Sequence, residues 1–315
     1  AFRTRPAQFE REDVQASDVD AAAAEIHAAL RDEGPATGAR LLEALDAAGL
    51  ERGDPRLSAT RAALSGEAEL TVKQLAGALP PDEAGLVRAA LTGALVAGDF
   101  SSFEGRITNL FHHAAEERSG EVAAYIPELA RASPDSFAIS FATVDGHVYS
   151  VGEAATEFSI QSVSKPFMYG YALREHPKAV VLDHVGVEPT GEAFNSIVLD
   201  EANNRPFNPM VNAGAIAVAA LAEGATPEAR VAGLLRDFGG FAGRRLEIDE
   251  AVYASEARTG HRNRAIAWLM LNSGMIDRDP EEVLGHYFRQ CAIRVTCADL
   301  ALMGGTLANN GGNPR

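Results

Sequence analysis

The stretch Glu157-Phe158-Ser159-Ile160-Gln161-Ser162-Val163-Ser164-Lys165-Pro166 decides how this chain reads. Within it, Ser162 and Lys165 form an S-x-x-K pair, which places a hydroxyl and an amine on one face of a single helical turn. A serine hydroxyl is a weak nucleophile until a neighbouring base takes its proton, and an uncharged lysine can be that base. The chain carries only three Lys (Lys73, Lys165, Lys178) among 28 basic residues. The others are Arg, which does not deprotonate in proteins, so base chemistry falls to Lys. Taken alone, the pair also reads as a polar helix start with an exposed Lys.

Upstream of the pair, β-rich runs at 136–144 and 147–151 flank Asp145-Gly146, the pattern of a β-hairpin. Downstream, Phe167, Tyr171 and Leu173 mark a helix that begins at Ser162. A strand pair feeding a nucleophile-bearing helix predicts an α+β catalytic domain. A short helix is expected over 121–131. Residues 189–209, punctuated by Asn, Pro and Gly, read as loop. Helices are predicted over 214–221, 227–238, 262–272, 281–290 and 300–307, the last capped by Thr296. The final run 309–315 is a turn sequence, and ending there reads as a fragment.

Residues 16–118 read as helix throughout. Ile26 and Leu30, then Leu41, Leu42, Leu45 and Leu50, keep the helical period. Further helical stretches fall at 57–64, 70–79, 86–96 and 103–117, with Pro80-Pro81-Asp82 as a stop and a new N-cap. The character changes near Ser119-Gly120. The expected organisation is therefore a helical domain over 1–118 and a catalytic domain over 119–315.

The 315 residues suffice for two domains, and a net charge of −16 argues against a surface that tracks nucleic-acid phosphates. No run of 18 apolar residues is present, and the first residues lack the apolar core of a secretory signal, so neither membrane nor export is expected. Cys291 and Cys297 do not make a disulfide framework, and neither C-x-x-C nor H-E-x-x-H occurs. The expectation is a reduced cytoplasmic protein with no metal and no cofactor. His112-His113 reads as a helix-face pair rather than a ligand set.

Other motifs narrow the choice left open by S-x-x-K. They are Tyr125-Ile-Pro-Glu-Leu-Ala130, Thr143-Val-Asp-Gly146, Gln161-Ser-Val-Ser-Lys-Pro166, Phe207-Asn-Pro-Met-Val-Asn-Ala-Gly-Ala-Ile216, Ser255-Glu-Ala-Arg-Thr-Gly-His-Arg-Asn263 and Tyr287-Phe-Arg-Gln-Cys-Ala-Ile-Arg-Val-Thr-Cys297. In this order, from about residue 120 to the end, they resemble the serine-dependent glutaminases. The resemblance implies a serine β-lactamase/transpeptidase-like catalytic domain. The run 41–57 is similar to the EF-hand-like helical domain of kidney-type glutaminases. No D-x-[DN]-x-[DN]-G loop accompanies it, so calcium binding is not implied.

The resemblance further implies hydrolysis of L-glutamine to L-glutamate and ammonia through an acyl-enzyme, in a protein that self-associates as a homodimer or homotetramer. Ser162 would attack the side-chain amide, Lys165 would take its proton, and Tyr287 would assist proton transfer. Glu256 matches the position that meets the α-ammonium. Asn212 and Asn263 match positions that hold the amino-acid head and carboxylate, with Gln161 and Tyr125 beside them. The family's remaining elements, a later tyrosine, a K-S-G-like strand and the second oxyanion N–H, would lie past residue 315. The 315-residue piece alone is therefore expected to turn over little, and its sheet to have an open edge. Two rivals stand beside this reading. A serine β-lactamase or peptidase needs Ser-x-Asn downstream of the nucleophile, where this chain has Met210-Val211-Asn212. A glutamine sensor or scaffold would keep the pocket without turnover.

Overall fold

The computed structural model describes residues 16–50, 54–95, 100–191, 193–196, 199–200 and 203–315. The start of the chain and parts of the loop predicted over 189–209 lie outside these residues.

Among the described residues, five helices come first: α1 (Ala16–Glu33), α2 (Gly38–Ala47), α3 (Ser58–Ala63, entered through a 3-10 turn at Pro55–Leu57), α4 (Val72–Ala78) and α5 (Pro81–Leu91). Their apolar stripes close on one core containing Ile26, Leu41, Leu45, Leu57, Leu75 and Val87. Thr37 caps α2, and a reciprocal Thr71–Gln74 capping box starts α4. The run Pro80-Pro81-Asp82 starts α5: Pro80 is its N-cap, and Asp82 sits in its first turn, where the helix dipole favours a carboxylate. The loops after α1 and α3 touch through an antiparallel bridge between Thr37 and Glu69.

The next helix, α6 (Phe100–Ala114), packs on the hairpin rather than on this core, across the 118/119 boundary expected from the sequence. The hairpin pairs β1 (Ala138–Ala142) with β2 (Val148–Gly152), with Phe141 opposite Tyr149. Its turn has three residues. Gly146 N donates to Thr143 O at 3.0 Å, and Gly146 closes the turn at φ +84°, which glycine adopts without strain. Strand alternation sends Phe141 onto Phe103 of α6, while Ala142 faces Gly305 in the last helix of the chain.

The rest of the chain is mostly helical, with one small antiparallel sheet among its described residues. It runs β3 (Phe158–Ser159), a 3-10 turn (Gln161–Ser164), α7 (Lys165–Glu175), α8 (Lys178–His184), α9 (Asn212–Ala220), α10 (Pro227–Ala242), β4 (Glu247–Ile248), α11 (Glu250–Thr259), α12 (His261–Asn272), α13 (Pro280–Cys291), β5 (Ile293–Val295) and α14 (Cys297–Ala308). The sheet order is β3-β5-β4. Every residue of α9 is buried, as expected of a helix that is apolar all round. It joins two cores, one around Phe167 and Phe238, the other around Tyr287 and Phe288. Gly214 is required there, because a Cβ would collide with the Asn208 carbonyl oxygen.

Two expectations are corrected. Residues 121–131 form irregular chain with one 3-10 turn at Leu129–Arg131; Pro127 removes a helical N–H and disfavours helical backbone at Ile126. Ser162 lies on the 3-10 turn, not in the helix. The α-helix starts at Lys165, with Pro166 in its first turn, where the missing N–H costs nothing.

Candidate active site

Pairing of β3 with β5 places the Ser162 turn. Ile160 N donates to Ile293 O at 2.8 Å, and the chain then turns sharply through Gln161 at φ +50°. A left-handed non-glycine residue is uncommon, and holding one beside a reactive group is a recurrent feature of functional turns. The side chain of Gln161 is tied on both ends: its Nε2 donates to Ser159 Oγ at 3.0 Å, and its Oε1 accepts from the Tyr125 hydroxyl at 3.0 Å. Ser162 is exposed, while Lys165 is 3% exposed.

Lys165 Nζ donates to Met210 O at 2.9 Å and to Asn212 Oδ1 at 2.8 Å. Burial lowers its pKa, against the pull of Cys291 and Glu256, which raise it. Asn212 is the first residue of α9. Its amide passes the contact on, with Nδ2 donating to Asn263 Oδ1 at 3.1 Å in the first turn of α12. The cap of α9 is Val211, so Asn212 is not spent as an N-cap.

Glu256 on α11 is 6% exposed, and its Oε2 is buried with no hydrogen-bond partner. Burial pushes its pKa up to about 7, with Lys165 pulling the other way. A reading of Glu256 as a solvated surface charge is therefore excluded. Tyr125 stands at the rim, 64% exposed overall, and its hydroxyl is pushed up to about 12 by desolvation and by the negative charge of Glu256.

Tyr287 is 2% exposed, and burial holds its phenol far above the ordinary range. Its hydroxyl lies beside the Cys291 thiol one helical turn on. The structure thus brings together Lys165, Asn212 and Asn263 in one hydrogen-bonded chain, pairs Tyr125 with Gln161, and sets Glu256 in the field of Lys165. Among the described residues, no hydrogen bond joins Ser162 Oγ to Lys165 Nζ, and none joins Tyr287 to Ser162.

Several contributors carry no signal in the motif reading. The Met210 carbonyl is backbone, and the Phe194 ring, 5.7 Å from Lys165 Nζ, comes from the loop before α9. Gln290 and Cys291 sit beneath the turn, against Ser164 within it. All three lie inside quoted motifs that gave them no role, with Gln290 and Cys291 three and four residues after Tyr287 on α13. No group of three or more His, Cys, Asp or Glu among the described residues is placed to hold a metal ion. No helix among them is long and apolar enough to cross a membrane.

An exposed serine three residues before a buried lysine, on a turn that leads from a strand into a helix of a mostly helical α+β unit, defines the serine–lysine class. Within that class the chain belongs to the glutaminase family, whose model matches residues 120–315. The chain is 57% identical over 197 residues to a glutaminase of Trichormus variabilis, covering 62% of this chain and 59% of that protein. A glutaminase of Microcystis aeruginosa is 50% identical over 212 residues, covering 67% and 63%. Among solved structures, the probable glutaminase ybaS superposes with a TM-score of 0.66 at 34% identity, covering 69% of this chain and 70% of that one. Mglu in its glutamate form gives 0.63 at 39% identity, covering 67% and 50%. The chain thus spans about three fifths of the length of the Trichormus glutaminase.

Proposed function

We propose that the protein hydrolyses L-glutamine to L-glutamate and ammonia through an acyl-enzyme on Ser162. The observation that carries this reading is the buried Lys165, held three residues from the exposed Ser162 with its pKa lowered by desolvation. A neutral amine has two N–H groups and one lone pair. Met210 O and Asn212 Oδ1 accept two N–H bonds, which leaves a lone pair for the serine proton.

In the proposed cycle Ser162 Oγ attacks the amide carbon and its proton passes to Lys165. The C–N bond then breaks, the nitrogen leaves as ammonia with that proton, and water releases glutamate from the ester. Glu256 meets the α-ammonium: its unpaired Oε2 is an acceptor already desolvated and lacking a donor. Asn212, Asn263, Gln161 and Tyr125 supply amide and hydroxyl groups for the amino-acid head. Tyr287 enters through proton transfer, with Cys291 as its resting partner. The same reading gives the catalytic unit a serine β-lactamase-like fold and the protein a homo-oligomeric state. It makes the N-terminal helices EF-hand-like, a view supported by the Thr37–Glu69 bridge between two helix–loop–helix loops.

Covalent trapping tests the proposal. An electrophilic glutamine analogue such as a diazoketone should add its mass to the peptide containing Ser162, with protection by excess L-glutamate. Labelling elsewhere, or none, removes the nucleophile assignment.

A further inference from the structure

Ser164 ends the 3-10 turn, between Ser162 and Lys165, and it is 0% exposed. Its Oγ accepts a hydrogen bond from Gln290 Nε2 at 2.9 Å; Gln290 is 126 residues away and also 0% exposed. Ser164 also lies beside the buried Cys291 thiol, as does the Tyr287 hydroxyl. Having accepted from Gln290, the Ser164 hydroxyl has its own hydrogen to give to sulfur. Tyr287, Gln290 and Cys291 occupy one face of α13, so a single helix face grips the underside of the turn.

The turn needs gripping. Gln161 is held at φ +50°, a conformation that persists only where the surroundings over-determine it. Its geometry also decides how Ser162 and Lys165 line up. In a 3-10 helix residues i and i+3 eclipse, whereas an α-helix advances only about 100° per residue. Relaxation of this turn to α geometry would therefore rotate Ser162 about 60° relative to Lys165.

One further observation separates alignment from plain packing. Gln290 Oε1 is buried with no partner. An orphaned buried carbonyl costs stability, and an apolar side chain of similar length would remove that cost. Gln290 is thus a poor choice for stability at its own position, while its amide N–H₂ is placed on the turn.

We propose that Gln290 and Ser164 are positioning residues: a buried clamp from α13 that keeps the nucleophile turn in 3-10 register and so aims Ser162 at Lys165. The proposal rests on the amidohydrolase reading above and adds to it what sets the geometry. Among the described residues, no hydrogen bond joins Gln290 or Ser164 to Glu256 or Asn263, which sit on α11 and α12. Its loss should leave amino-acid binding in place and slow the chemical step.

The test is a double-mutant cycle of Gln290→Met and Ser164→Ala in the natural full-length protein. It reads ammonia release from L-glutamine, L-glutamate affinity and thermal stability. Gln290→Met should lower kcat about ten- to a hundredfold, the size expected for a small misalignment of reacting groups. L-Glutamate affinity should stay within about threefold, and the melting temperature should hold or rise. The double variant should be no slower than the slower single one. A kcat within about threefold of wild type, or a loss of kcat matched by lost glutamate affinity and a lower melting temperature, overturns the clamp. A wild type that releases no ammonia overturns the amidohydrolase reading, and the clamp falls with it.

Discussion

Lys165 Nζ and Asn212 Oδ1 lie 2.8 Å apart, both side chains buried, though the two residues are 47 positions apart in sequence. The contact links the Ser162 turn to α9, which is buried along its whole length. A neutral amide there satisfies an N–H of the lysine without adding charge, so burial is free to lower the lysine pKa. Replacing that amide by a carboxylate reverses the effect. Asn212→Asp should raise the Lys165 pKa and move the rise of rate with pH to higher pH. A lysine that deprotonates one pH unit later leaves about a tenth of the rate at pH 7. The check is a pH profile of ammonia release: it should climb as the lysine deprotonates and level off above that point. A profile unchanged by Asn212→Asp would deny Lys165 the role of base.

Glu256 predicts opposite trends for stability and binding. Its folded pKa of about 7 stands above the ordinary 4.5 because burial penalises the carboxylate. The folded state therefore holds its proton more tightly than the unfolded chain does. This burial costs nothing below pH 4.5, grows as pH rises to 7, and is constant above, at about 3 kcal/mol. Glu256→Gln should thus gain stability that develops between pH 4.5 and 7 and persists at pH 8. The same substitution should weaken amino-acid binding at least a hundredfold, through loss of a charge-assisted partner worth about 3 kcal/mol. Paired urea melts at pH 4 and pH 8, with glutamate titrations, check both halves.

Wild-type binding should follow the same group. L-Glutamate affinity should fall about tenfold per pH unit below 7, as the Glu256 carboxylate is protonated and can no longer meet an ammonium. Titration calorimetry in buffers of different ionisation heat should register proton release on binding near pH 6.

Gly214→Ala tests the packing beneath the site. The added methyl would meet the Asn208 carbonyl oxygen. Asn208 also shapes the approach to α9, its Oδ1 accepting from Met210 N at 3.0 Å and Val211 N at 3.3 Å. A displacement of Asn208 would carry the Met210 carbonyl away from Lys165. The expected outcome is a loss of about 1–3 kcal/mol in denaturant unfolding, with a fall in turnover despite an untouched set of polar side chains.

The Ser162–Lys165 pair and the hairpin could be read because each is local: S-x-x-K sits in four residues, and Asp145-Gly146 names its own turn. Thr296 as the cap of α14 is legible for the same reason, since capping needs only the residues three apart that form the box. What escaped was non-local or weakly periodic. α8, a seven-residue helix rich in Val, has too few turns to show a period. β3, β4 and β5 are two or three residues long and exist only as partners of one another. The 3-10 turn of Ser162 follows directly on Ile160, which reaches Ile293, a contact that no local pattern encodes. Helix was expected over 121–131 because its Leu and Ala residues suit one, but Pro127 breaks the ladder. The burial that turns Glu256 from a surface charge into an unpaired acceptor comes from packing of α11, again invisible in the run around it.

The most direct measurement is ammonia release from L-glutamine by the natural full-length protein beside its Ser162→Ala variant. Removal of the hydroxyl leaves Lys165, Glu256 and the asparagines in place, so binding should survive while turnover falls by at least a thousandfold. Turnover that persists in Ser162→Ala, or a folded wild type that releases no ammonia, would contradict the account.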